Sequence, residues 1–196
     1  MKTIILAAIR CSLMFAAVTA PLFSVRPAQA YTVTLYQMGS NVVAKGSGAF
    51  NLTGLTLFGT GGSDAGIEPN IAAITVAPGN NCDTYFGFSG PSSFGTGLFT
   101  FASSSSGDSV TIVGSFNELF VPGGYVSGAA LSDSMTFNNA TFTSLGVTPG
   151  TYVWSWGTGL PNQNFTLRVV PDTGSTVSLL GCALLGFAAL RRTFSC

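Results

Sequence analysis

Histidine is absent from this 196-residue chain, and charged residues make up only 7% of it, against about 25% in an ordinary soluble domain. Without imidazole there is no general base of the usual kind, no middle member for a Ser or Cys triad, and no nitrogen ligand for a metal. Helix formers are scarce between residues 31 and 170, where Gly, Ser, Thr and Asn stand in place of Lys and Glu. Cysteines are few and scattered. Cys11 and Cys182 lie in apolar terminal segments, Cys196 is the last residue, and Cys82 alone belongs to the middle of the chain. A disulfide framework is therefore excluded there, and Cys82 reads as a solvated or half-buried spectator.

Basic residues are scarce where a nucleic-acid binder needs them. Residues 31–170 hold two, Lys45 and Arg168, against six acidic ones (Asp64, Glu68, Asp83, Asp108, Glu118 and Asp133), a net of −4. Such a segment cannot neutralise many phosphates, so nucleic acid is set aside as a partner. The glycine-rich stretch Gly59–Gly66 lacks the Lys-Ser/Thr ending of a phosphate loop and reads as a turn. The aspartates sit among small polar residues, where Asp commonly caps turns. No dense acidic pattern supplies the converging oxygens of a calcium site, so neither metal nor cofactor is expected.

What fills the middle is short-range alternation. Apolar residues recur at every second position in Tyr31–Leu35, Phe50/Leu52, Phe99/Phe101, Val110/Ile112, Tyr152/Trp154/Trp156 and Phe165/Leu167/Val169. Gly, Pro, Asn and Ser clusters punctuate them at 59–66, 78–81, 89–93, 103–108, 122–124, 138–139 and 149–150. About eight to ten short strands follow, a mainly β body over residues 31–169 in the form of an antiparallel β-sandwich or a jelly-roll-like fold. The pieces Thr53–Phe58 and Thr96–Phe101 echo one another without a fixed repeat period. Tyr152, Trp154 and Trp156 share one strand face; exposed, they could stack on sugar rings, whereas aromatic residues at this spacing more often belong to a core.

The two ends differ from the middle. Lys2 and Arg10 precede an apolar stretch over residues 11–23, and Ala28-Gln29-Ala30 follows. Small residues at −3 and −1 suit a signal peptidase, so residues 1–30 are expected to be a secretory signal helix cut before Tyr31. At the far end, Val170-Pro171-Asp172-Thr173-Gly174-Ser175-Thr176 precedes an apolar run to Leu190, then Arg191-Arg192 and a tail over residues 193–196. A helix over residues 174–190 would reach about 26 Å at ~1.5 Å per residue, short for a bilayer core of about 30 Å but within what local thinning accommodates. The paired arginines would stop transfer and hold the C-terminus in the cytoplasm, making the precursor a type I inner-membrane protein.

A short signature, an apolar Gly-containing helix and a terminal Arg-Arg pair, over residues 170–192, resemble the PEP-CTERM class of sorting signals. Val170–Thr176 is similar to its VPDSG variant, with Thr173 where Ser is usual. The resemblance implies a substrate of an exosortase, a membrane-embedded transpeptidase that removes the tail and passes the protein to the cell surface or exopolysaccharide. Pro171 suits that role, because it keeps a segment extended for an enzyme to grip. The same residues stand one change from the Leu-Pro-x-Thr-Gly signal of sortases, which would cut between Thr173 and Gly174. Together these features point to an exported structural or interaction protein with no catalytic residues of its own. The alternatives are a carbohydrate-binding surface module and a sortase-type cell-wall protein. A secreted hydrolase would need paired carboxylates, and no acidic residue lies in a recognisable catalytic context.

Overall fold

The computed structural model describes residues 29–170. The expected signal helix and Ala28, the sorting positions Pro171–Thr176, the membrane helix over residues 174–190 and the Arg191-Arg192 stop lie outside the described residues. Among those described, no helix is long and apolar enough to cross a membrane.

Within the described residues, thirteen strands form two sheets. One has six strands, in the order β12 (Gly150–Ser155), β13 (Asn164–Val170), β1 (Tyr31–Met38), β2 (Asn41–Gly48), β11 (Leu131–Phe137) and β8 (Ser104–Gly107). The other has seven, in the order β3 (Thr56–Ser63), β6 (Gly79–Phe86), β10 (Glu118–Pro122), β9 (Thr111–Val113), β5 (Ala73–Thr75), β4 (Gly66–Glu68) and β7 (Thr100–Phe101). A 3-10 turn at Pro69–Ile71 and a single helical turn, α1 (Phe142–Leu145), complete the body. Helix α1 owes its place to a capping box in which Thr141 and Ser144 satisfy each other's amides.

Alternation decides which side of each strand is buried. In β1, Tyr31, Val33 and Leu35 face inward between half-buried threonines, and in β13 Phe165, Leu167 and Val169 do the same. Ile67, Ile74, Ile112, Leu119 and Val121 of the seven-stranded sheet join them in one hydrophobic cluster. Its densest part is aromatic: Phe50 stacks on Phe165 at 6.2 Å and lies 4.8 Å from Tyr31, while Trp154 meets Phe165 edge-on at 5.6 Å. Such pairs each contribute roughly 0.5–1.5 kcal/mol beyond the area they bury.

Several expectations need correction. The strands number thirteen, and polar stretches read as turns contribute to them, Gly79–Asn81 within β6 among them. Gly59–Ser63 lies in β3, and Ser104–Gly107 forms β8. Both are edge strands, whose outward residues need no apolar pattern. Strand β3 carries two register shifts against β6, a device that blunts an edge against unwanted pairing. Phe50 and Leu52 are buried from a loop and do not form a strand. The pairing is also not wholly antiparallel, for β1 runs parallel to β13. Cys82 is neither solvated nor half-buried: it is 1% exposed, with its thiol 3.2 Å from Ser109 Oγ.

Candidate functional site

The aromatic row proposed for sugar stacking belongs to the interior. Trp154 is fully buried and its Nε1 donates to the Pro91 carbonyl at 2.8 Å; Trp156 is 6% exposed and donates to Asn51 O at 2.7 Å. Trp156 borders a shallow depression, and Tyr152 packs against Phe94 at 5.8 Å. Both indoles need a hydrogen-bond acceptor once buried, and the loops supply one each. Neither tryptophan offers an exposed ring face to a saccharide, and Tyr152 is half-buried.

Exposed aromatics lie instead on the outer face of the seven-stranded sheet. Phe101 is 65% exposed, Phe116 59% and Phe99 44%, and with the half-buried Phe120 they border a groove of about 310 Å³. The register explains its shape. One cross-strand row runs Phe120, Thr111, Thr75, Gly66, Phe101. The next runs Glu118, Val113, Ala73, Glu68. Small residues thus floor the groove, and larger ones stand at both ends. Phe99 leans over Gly66, where an added Cβ would lie 2.8 Å from its ring. Beneath, Thr111 Oγ1 donates to Thr75 Oγ1 at 3.0 Å and meets Ser63 Oγ at 2.7 Å, so the floor hydroxyls are already engaged.

The six-stranded sheet presents a different outer face. Thr151, Arg168, Thr34, Lys45, Ser134 and Ser106 form one row across all six strands. Lys45 and Arg168, the two basic residues of the body, flank Thr34 in that row and are both exposed. A shallow depression of about 400 Å³ lies around them, bordered by Thr32, Tyr36 and Ser47. This face is hydroxyl-rich and positive, whereas the groove on the other sheet carries Asp64, Glu68 and Glu118. Alternation along Thr-rich strands produces the first face; the second collects from five short strands, two neighbouring pairs (β4–β5 and β9–β10) and β7.

Asp133 occupies an unexpected position. It lies inside β11, pointing inward at 6% exposure, and the Tyr31 hydroxyl donates to its Oδ2 at 2.5 Å. Its Oδ1 has no hydrogen-bond partner. Gly46 lies beside the pair on the intervening strand β2, and a Cβ there would collide with both Asp133 Oδ1 and Tyr31 Oη. Burial, with the Asp108 charge adding to it, outweighs the Tyr31 hydrogen bond and pushes the Asp133 carboxyl up to about 7. The local turn-capping expected of aspartate is not what Asp108 does: it accepts from Ser132 N at 2.7 Å, on β11, 24 residues away in sequence. Asp83 accepts from Gly124 N at 2.8 Å, although it stands within β6. Among the described residues, no three His, Cys, Asp or Glu side chains converge as metal ligands.

Of the processing positions, the described residues include Ala30, Tyr31 and Val170. Tyr31 is fully buried at the start of β1; its amide donates to Ala49 O at 3.2 Å, and Ala49 N donates to Gln29 O at 2.9 Å. The Ala30–Tyr31 bond is therefore tied into the sheet once the chain folds. Val170 closes β13, so the sorting segment begins where a core strand ends.

Comparison with known families bears on that segment. Residues 169–194 match the VPDSG-CTERM motif. This is the sorting signal read from Val170–Thr176 and the Arg191-Arg192 end, and it is of the PEP-CTERM type. It supports export, membrane anchoring of the precursor and processing by an exosortase. No curated protein and no solved structure matches the chain.

Proposed function

We propose that this chain is a non-enzymatic protein of the cell surface or exopolysaccharide, led out by residues 1–30 and released from its membrane tail by an exosortase. The match at residues 169–194 carries the reading. The body is a β-sandwich, supported by two sheets that contribute to one core cluster. It serves as a structural or interaction module. The precursor spans the inner membrane once, with Arg191 and Arg192 on the cytoplasmic side, and its partners in transit are signal peptidase and the exosortase.

Within that reading, an association with polysaccharide draws support from the outer face of the six-stranded sheet. Hydroxyls at strand spacing match the donors and acceptors of a glycan, and Lys45 and Arg168 favour an acidic one. This replaces the Tyr152/Trp154/Trp156 row as the surface for a carbohydrate. Intact-mass measurement of the protein recovered from cell surface and medium tests the processing. The expected species begins at Tyr31 and lacks the apolar run after Gly174. A full-length polypeptide dissolved in the cytosol would refute the assignment.

A further inference from the structure

We propose that the groove on the seven-stranded sheet binds a linear polyamine, an alkyl chain with protonated amines toward both ends. The proposal stands apart from the sorting reading and would survive its failure. Three observations converge on a cationic ligand. Glu68, Glu118 and Asp64 border the groove with no basic side chain among its lining residues. The body's two cations, Lys45 and Arg168, face outward from the other sheet. The rings of Phe99, Phe101 and Phe116 are exposed, and a phenyl face attracts an ammonium through its quadrupole.

The layout then selects two charges over one. Glu118 and Phe120 lie at one end of the groove, while Glu68, Phe99 and Phe101 lie at the other. Glu118 and Glu68 stand three strand spacings apart in a single row, about 14 Å at ~4.8 Å per strand. A single ammonium cannot contact both ends. Between them lie Ala73, Val113, Thr75 and Thr111, small side chains whose hydroxyls already bond one another and Ser63. That floor offers contact to methylenes and carries no cationic side chain to attract an anion. The groove, about 310 Å³, lies at the small end of ligand sites, which run from about 300 to 1,000 Å³.

Titration calorimetry on the mature protein provides the test, with spermidine as the probe and n-hexylamine and Mg²⁺ as controls for chain and charge. Spermidine is expected to saturate one site, and hexylamine and Mg²⁺ to bind at least about tenfold more weakly. E68Q, E118Q and F101A should each weaken spermidine about tenfold, while R168Q, on the opposite sheet, should leave it unchanged. Near-UV circular dichroism identifies any variant that fails to fold, and the exposed F116A then replaces it. Equal binding of Mg²⁺, equal binding of the monoamine, or indifference to both E68Q and E118Q would overturn the proposal. So would concentration-dependent self-association that F101A abolishes in the absence of polyamine, since a second copy of the chain would then fill the groove.

Discussion

Replacing Asp133 with Asn should make the body more stable at neutral and alkaline pH and abolish most of its pH dependence. Asp133 is held at 6% exposure among Leu131, Met135 and Phe137 on the inward face of β11. Burial raises its carboxyl from 3.8 to about 7. A carboxyl whose folded-state affinity for protons exceeds its unfolded-state affinity favours folding while protonated. Its contribution is full below about 3.8 and is lost as pH rises through about 7. Every tenfold change in proton affinity corresponds to about 1.4 kcal/mol, so the difference between the two limits is on the order of 4 kcal/mol. That is a large share of the roughly 5–15 kcal/mol that holds a domain together. An asparagine in its place would keep an oxygen for the Tyr31 hydroxyl and could never ionise. Chemical denaturation of the mature protein at pH 4, 6 and 8 would show wild-type stability falling with pH and D133N nearly level. Y31F should extend the decline to higher pH and enlarge the total loss, because the lost hydrogen bond favours the charged form. A wild-type protein that becomes more stable between pH 4 and 8, or a D133N protein with the same slope, would refute the argument.

Other substitutions probe the remaining links. G46A places a methyl group against Asp133 Oδ1 and Tyr31 Oη and should cost at least the ~1–3 kcal/mol typical of overpacking, read from the denaturation midpoint. W154A should cost about 3–5 kcal/mol by emptying a fully buried site, with any polysaccharide affinity unchanged under conditions where the variant is folded. Gln163 is 3% exposed, accepts from Thr158 N and Leu160 N and donates to Thr53 O at 2.6 Å. Q163L should therefore lose about 1–3 kcal/mol by leaving those groups unpaired. Deleting residues 174–196 should yield a soluble exported body with no membrane-bound precursor, checked by fractionation and intact mass. Retention of that truncated chain in the membrane would count against the tail as anchor.

The parts of the fold visible in the sequence are those where period two coincides with deep burial. Tyr31–Leu35 and Phe165–Val169 announce β1 and β13 because both are interior strands, with one face in the core and polar residues (Thr32, Thr34, Thr166 and Arg168) on the other. The same rule fails at edges: Gly59–Ser63 and Ser104–Gly107 need no apolar side, and so look like turns. Parity did mark Asp133, since Leu131, Asp133, Met135 and Phe137 share one face. Its serine neighbours concealed this by resembling a turn. The tryptophans were legible as strand aromatics, but whether they face inward or outward depends on Pro91 and Asn51, acceptors 63 and 105 residues away in sequence. The aromatic groove was least visible. Its rows combine the local pairs β4–β5 and β9–β10 with the remote pairings β5–β9 and β4–β7, and no local pattern encodes the remote ones. The echo between Thr53–Phe58 and Thr96–Phe101 was the nearest signal: both pieces carry exposed phenylalanines, Phe58 in one, Phe99 and Phe101 in the other.

The parallel pairing of β1 with β13 bears directly on how processing and binding can coexist. Tyr36, not Tyr31, sits beside Val170, so the start of β1 lies five residues of strand away from the point where the sorting segment begins, about 17 Å at ~3.3 Å per residue. The leader and the tail thus leave the sheet at opposite ends. Neither cleavage removes a residue from the Lys45–Arg168 row or from the groove on the other sheet, because both surfaces lie within residues 31–170. The two cuts differ in one respect. The Ala30–Tyr31 bond is drawn into the ladder beside Ala49 once folding is complete, whereas all of the sorting segment after Val170 follows the last residue of β13. Under the proposed processing, signal peptidase would have to act on the chain before the sheet closes, whereas an exosortase could act on a body already folded. A folded precursor presented to signal peptidase should resist cleavage, and efficient cutting of that folded form would contradict the order of events.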